Sequence, residues 1–419
     1  MKKAIIITGI TIWSVLALLI LTILIAGLSG AKAPGWVQKL PGYGTIWKGD
    51  GGMIVFGGNV TLLKEESYSL DGLENLSVTG TYQSIRITFN NGEKLTVRHY
   101  DYDTAEDFTA DAGGGRLDIQ MSRRSIITIF GISFSSPRLE LSIPHSYTGN
   151  VSLNASSGSV HVEENAAWGD TEIKTASGRI HAAGSLSCGT LHISASSGGV
   201  HLEGAVNSGD TQIKTTSGTI RFSGPVTCGG LQISASSGGV HLESAVNSGD
   251  TAIKTASGSI RVTGPAACGS LRISASSGGV TLGENVTGKA LEVGTTSGSI
   301  HINGTARCDS LSIHTSSGGV TVADCVASGA VTFKTSSGGI HAGNIQAETV
   351  TSESTSGGQT LGSLDAAGVI RLTASSGAVR ADAARSPEHY IKTTSGGITI
   401  GELTGTGEVR SSSGRVKTG

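Results

Sequence analysis

The sequence predicts an all-β protein: a parallel β-solenoid, or β-helix, of about fourteen 20-residue coils, preceded by an irregular β cap and one N-terminal transmembrane helix. Three observations carry this reading. Glycines Gly158, Gly178, Gly198, Gly218, Gly238, Gly258, Gly278, Gly298, Gly318 and Gly338 stand twenty residues apart, and Gly357, Gly377, Gly396 and Gly414 continue the series slightly shortened. Self-similarity at a fixed short period is the mark of a repeat architecture. On both sides of each Ser-Gly corner, apolar and polar residues alternate, the period-2 pattern of a half-buried strand. Finally, the same types recur in columns: Ile173, Ile193, Ile213, Ile233, Ile253, Ile273, Val293, Ile313 and Phe333 in one, and Val160 through Ile340 at every twentieth position in another.

A unit such as Leu191–Asp210 shows the layout. Leu191, Ile193 and Ala195 point to one side, His192 and Ser194 to the other; after the corner, Val200 and Leu202 point inward and His201 and Glu203 outward. One coil offers only five or six inward apolar side chains, too few to offset the ordering of twenty residues. Coils must therefore stack and share a core, so that stability becomes a sum over interfaces. At about 4.8 Å per rung the stack is a rod roughly 65 Å long. A second period of forty, with Cys188, Cys228, Cys268 and Cys308 forty apart, would also suit propeller blades. Successive halves are too alike for blades, however, and aromatics make up only 4% of the chain.

Taken in order, the chain of 419 residues opens with Lys2 and Lys3 and an uncharged apolar run from Ala4 to Leu28. Helical residues rise about 1.5 Å each, so this run exceeds a hydrocarbon core of roughly 30 Å and is too long for an ordinary signal-peptide core. Residues 1–33 are accordingly expected to form a membrane anchor with a short cytoplasmic end, cleavage after Ala33 being the alternative. The leading lysines favour a cytoplasmic N-terminus, while Lys32 and Lys39 weaken that bias. Trp36 and Trp47 would suit the outer interface or a core equally well. Residues 34–59, rich in Gly and Pro, read as a juxtamembrane linker, residues 60–150 as the irregular cap, and residues 151–419 as the solenoid. In the cap, Asn90-Asn91-Gly92 and Gly113-Gly114-Gly115 read as hairpin turns. The segment is expected to cover the first coil and block edge pairing there. With a net charge of -2, the chain has neither a basic nucleic-acid footprint nor an acidic tail.

Three stretches of the cap resemble a known family: Leu70-Asp71-Gly72-Leu73-Glu74-Asn75-Leu76-Ser77-Val78, Leu139-Glu140-Leu141-Ser142-Ile143-Pro144, and the change into Ser156-Ser157-Gly158-Ser159-Val160. They are similar to the bacterial adhesin family of β-helical envelope proteins, a domain of unknown function, over about residues 68–419. The resemblance implies a parallel β-helix, an extracytoplasmic location and no catalytic residues to carry over.

Among candidate sites, the column just after the corner stands out: His161, His181, His201, Arg221, His241, Arg261, His301 and His341, with Thr281 and Thr321 between. It holds six of the eleven histidines on one outward face. Imidazoles about 4.8 Å apart can chelate a metal ion or titrate together, and the bland alternative is a solvated ladder copied by duplication. No metal, cofactor or catalytic residue is assigned. Cysteines forty apart lie two coils apart, beyond the roughly 7 Å Cα separation that a disulfide spans, so free thiols are expected, with Cys325 three positions out of register with Cys308. Asp170, Asp210 and Asp250 are too sparse for a calcium-binding solenoid and suit turns. Asp101, Asp103, Glu106, Asp107 and Asp111 read as a solvated acidic loop, and Lys174, Lys214, Lys254, Lys334 and Lys392 as a solubilising stripe, with Glu203 and Glu243 elsewhere on the surface. No nucleophile elbow, zinc-protease helix or phosphate loop is present.

These features describe a non-catalytic, membrane-anchored rod, adhesin-like or part of an envelope stress system. Its expected partners are the cytoplasmic membrane through the N-terminal helix and a cell-wall polymer, glycan or envelope protein, with no nucleic acid. The alternative class is a polysaccharide hydrolase or lyase, which would need carboxylates and bases gathered on one sheet face.

Overall fold

A computed structural model describes residues 47–49, 52–54, 60–101, 108–121, 126–127 and 137–419. The anchor segment and most of the linker, Trp36 among them, lie outside the described residues, as do Asp103, Glu106 and Asp107. Among the described residues there is no helix, and hence none long and apolar enough to cross a membrane.

Each coil contributes a long strand, a corner and a short strand. Long strands such as Leu186–Ala195, Val206–Thr215, Val226–Ala235 and Val246–Thr255 pair parallel to one another, twenty residues out of phase. Ile193 thus sits beside Ile213, and Ile213 beside Ile233. Short strands such as Ile180–Ala182, Val200–Leu202 and Ile220–Phe222 stack the same way. The fourteen corner glycines bound thirteen complete turns, one fewer than the number of corners suggests. Inward Ile, Val and Leu are almost wholly shielded from solvent: Ile173, Ile253 and Val293 each expose 0% of their surface. Parallel stacking gives each coil the hydrogen-bond partners and apolar neighbours it lacks alone.

The corner shows why glycine recurs. A Cβ on any of Gly178, Gly198, Gly218 or Gly238 would fall far inside 3.0 Å of the corner glycine carbonyl one coil earlier. These glycines have ordinary backbone angles, for positive φ among the described glycines is confined to Gly72, Gly114, Gly115, Gly405 and Gly407. Close backbone approach, not a left-handed turn, is what excludes a side chain.

Three residues before the same corner, a buried threonine ties many of the coils to their neighbours. Buried Thr175, Thr255, Thr295, Thr315 and Thr335 donate to the corner carbonyl of the preceding coil and accept from the corner N–H of their own; Thr315 does both at 3.1 Å. Ala195, Ala235 and Ala275 occupy this place in the intervening coils. Toward the C-terminus the period shortens because the pairing slips between Ala347 and Thr349, between Asp365 and Val369, and between Arg385 and Glu388.

The stack continues below residue 151. Asn75–Gly80 pairs parallel with Asn150–Ala155, and Ser84–Asn90 with Val160–Val162, so the cap contributes a coil of its own in register with the repeats. Arg116–Gln120 lies beneath Asn75–Gly80 and pairs antiparallel with Thr109–Gly113 through a tight turn at Gly114 and Gly115, both with positive φ, as expected for that hairpin. At Asn90–Gly92 the structure differs from the expected hairpin: Ser84–Asn90 and Lys94–Asp101 both pair with Arg138–Pro144, the first parallel and the second antiparallel. A later strand competes for the edge that a hairpin would have used. Lys94–Asp101 pairs in turn with Thr61–Ser69, whose Lys64, Glu65 and Glu66 put charge on that strand, a common guard against edge-to-edge association. Trp47–Gly49, Gly52–Ile54 and Ile126–Ile127 form a separate three-stranded sheet.

Asp101 is not a solvated loop residue. It is fully buried, accepts hydrogen bonds from Tyr82 Oη at 2.7 Å and Gln83 Nε2 at 2.9 Å, and stands 3.2 Å from His99 Nε2. Alternation along Lys94–Asp101 places His99 and Asp101 on the same inward face as Leu95 and Val97, where a carboxylate needs such partners. Asp111 is exposed.

Candidate functional site

The histidine column lies on the outer face of the short strands, because each member follows an inward Ile or Val by one residue. In-register pairing sets His161 beside His181, His181 beside His201, His201 beside Arg221, and Arg221 beside His241. His161, His181, His201 and His241 are half-buried; Arg221, Arg261, His301 and His341 are exposed. The uninterrupted run of imidazoles is therefore three long. Ring centroids are 5.9 Å apart between His161 and His181 and 5.4 Å between His181 and His201.

Glu203 and Glu243, which lie away from the lysine column, stand against the histidine column. Each lies two residues beyond a column member on the same strand or its extension, which returns it to the same outward face. His181 Nε2 is 3.0 Å from Glu203 Oε1, and His201 Nδ1 is 3.7 Å from the same oxygen. One coil pair later, Arg221 meets Glu243 at 2.7 Å, and Arg86 of the cap meets Glu163 at 3.1 Å. A carboxylate recurs every forty residues, and only at Glu203 are its basic neighbours imidazoles. His181, His201 and Glu203 can each offer one donor atom, all within 4.8 Å of one another. The signal available in the sequence was the parity of His201 and Glu203, together with the spacing of 22 from His181 to Glu203.

Burial favours the neutral form of His161, His201 and His241. Burial pushes the pKa of His161 and His201 below the ordinary imidazole value, with His181 adding to the depression and the neighbouring glutamates opposing it. His241 is lowered by burial and by Arg261 and Arg221, against Glu243. The hydrogen bond from His181 holds the Glu203 carboxyl below its usual range, and Arg221 does the same for Glu243. His201 Nε2 lies 3.3 Å from Ser223 Oγ, which donates to Glu243 Oε2 at 3.0 Å.

The other sequence candidates separate. Thr190 donates to Asp170 at 2.8 Å and Ser270 to Asp250 at 2.6 Å, so these aspartates bind the hydroxyl of the next coil. The lysine column is partly paired, Lys174 with Glu172 at 2.5 Å and Lys334 with Glu353 at 3.1 Å, while Lys214 and Lys254 point into solvent. All five cysteines are free. The sequence spacing misjudged one pair. A register shift between Ile302 and Thr305 sets Ala306 opposite Cys325 and Cys308 opposite Ala327, and the Cys325 thiol donates to Cys308. This hydrogen bond lowers the Cys308 pKa and, with burial, raises that of Cys325. Among the described residues, an open concavity of about 410 Å³ runs past Asn75, Asn150, Asp170, Thr190 and His192.

The sequence profile of one domain family, Toastrack DUF4097, matches residues 73–266, 207–343 and 307–418, which together span the stacked coils from the cap to the last corner. The chain belongs to the Toastrack family. The match begins at residue 73, beside the cap coil that starts at Asn75, so the Toastrack unit includes that coil. No curated protein and no solved structure matches the chain. Toastrack domains are β-solenoids of unknown function and are not a known enzyme family. The histidine ladder and Glu203 are accordingly read from their own geometry.

Proposed function

We propose that this Toastrack solenoid is a membrane-anchored, extracytoplasmic rod that acts in an adhesin-like way, binding an envelope polymer, glycan or envelope protein without chemical turnover. One observation carries the reading: the side chains that leave the core form parallel stripes of Ser, Thr, His and paired charges along a single stack of coils. Stripes repeating at about 4.8 Å suit an extended ligand better than a small substrate that must be enclosed. The apolar run from Ala4 to Leu28 supports single-pass attachment to the cell membrane.

Two measurements on the full chain test this. Carbonate-washed membranes should retain the protein, and a membrane-impermeant amine reagent should label exposed Lys214 and Lys254 in whole cells; recovery in the soluble cytoplasmic fraction defeats the anchored reading. Incubation with wall polymers and glycans should give saturable binding and no shortened product. Release of oligosaccharide would favour the polysaccharide-enzyme alternative instead.

A further inference from the structure

The forty-residue duplication supplies an internal control for the imidazole cluster. His181, His201 and Glu203 correspond to Arg221, His241 and Glu243, forty residues later, in the same register and on the same outward face. In the later copy a guanidinium closes the arrangement as an ion pair. In the earlier copy two nitrogen donors and one carboxylate oxygen face one another with no arginine between them. We infer that His181, His201 and Glu203 bind one divalent ion of the zinc class, leaving a fourth position to water.

The donor chemistry selects the ion. Two imidazoles and one carboxylate suit Zn²⁺ and its borderline neighbours, whereas calcium and magnesium prefer all-oxygen shells. In a tetrahedral zinc site, bonds of about 2.0 to 2.1 Å put ligand atoms about 3.4 Å apart. The contacts of 3.0 and 3.7 Å bracket that separation, and the outer limit of 4.8 Å asks only for small side-chain rotations. The outer shell is also in place. With Nδ1 as the ligand atom, His201 Nε2–H donates to Ser223 Oγ, whose own proton goes to Glu243, so the ring is held in the tautomer that metal binding needs. The ligands come from two adjacent coils, since His181 belongs to one and His201 and Glu203 to the next, so the ion would tie neighbouring rungs together.

Titrating Zn²⁺ alone into the metal-free full chain by calorimetry tests this. One equivalent should bind with a dissociation constant in the micromolar range or tighter. His181→Arg copies the sequence that already folds one coil pair later, and Glu203→Gln keeps size and shape; each should weaken binding at least tenfold. Arg221→His recreates the full set with His241 and Glu243 and should add a second equivalent. Circular dichroism checks that the three variants keep the wild-type strand signal. No wild-type binding below about 100 μM, binding that His181→Arg and Glu203→Gln leave unchanged, or no second equivalent in Arg221→His would each overturn the assignment. These outcomes are independent of where the rod resides and of what polymer it binds.

Discussion

Replacing Gly238 by alanine should damage the rod, while the same change at Gly239 should not. At Gly238 the added Cβ would lie 2.9 Å from Thr219 N and closer still to the carbonyl of Gly218. Those are backbone atoms of a hydrogen-bonded corner and cannot swing aside. Two rungs about 4.8 Å apart would have to open by on the order of an ångström. Overpacking of this kind costs roughly 1 to 3 kcal/mol. Opening the corner also weakens Ser236 N–H to Thr215 O at 3.1 Å and Ser237 N–H to Thr216 O at 2.8 Å. Each such bond is worth about 0.5 to 1.5 kcal/mol net, so the whole effect is about 2 to 6 kcal/mol. At Gly239 the nearest atoms are His241 Nε2 at 3.1 Å, the end of a movable side chain, and Ser259 O at 3.2 Å. Ser159, Arg179, Thr219 and Ser259 already occupy that place in other coils, and its φ is not positive. The alanine there should be neutral or stabilise by up to about 1 kcal/mol through the unfolded chain. Urea unfolding of the full chain followed by far-ultraviolet circular dichroism measures both. A Gly238→Ala protein within about 0.5 kcal/mol of wild type, or a Gly239→Ala protein equally weakened, would refute close corner approach as the reason for the glycine column.

Three further outcomes follow from the same coordinates. Thr315→Val keeps the shape but removes the hydroxyl that joins Gly298 O to Gly318 N, and should lower unfolding free energy by about 1 to 3 kcal/mol, read from the urea midpoint. His241 is flanked by Arg221, Arg261 and Glu243, and its folded pKa lies below the ordinary value of about 6.5. The unfolded chain therefore takes up its proton first: this residue costs nothing above pH 6.5 and lowers stability as pH falls from there toward the folded value. In chelated buffer, His241→Asn should flatten the decline in urea midpoint between pH 7 and pH 5, and an unaltered slope would contradict this. Among the thiols, Cys308 is half-buried with a lowered pKa, whereas burial raises Cys188 and pushes Cys228 up to about 11. Brief alkylation of native protein at pH 8, read by mass spectrometry, should modify Cys308 ahead of Cys188 and Cys228.

The solenoid was legible because its signal is strictly local and repeated. Alternation gives Ile193 and Ile213 their inward direction, and the twenty-residue interval gives them to each other. The hairpin expected at Asn90–Gly92 was not legible in the same way. Turn residues describe a chemical possibility, while the pairing of Lys94–Asp101 depended on Arg138–Pro144, a strand some forty residues distant with no repeat to announce it. Asp101 fell to the same difficulty: an acidic stretch looks solvated until Tyr82 and Gln83 arrive from the bend between two other strands to satisfy it.

By itself, then, the sequence determined the coil, its period and the stripe of histidines, since direction along a strand and distance between equal residues follow from backbone geometry alone. Tertiary structure decided which of those stripes touch. Glu203 reaches His181 across a coil boundary, and Cys325 reaches Cys308 after a one-residue slip, because contacts between rungs depend on register and side-chain reach as well as on the repeat interval.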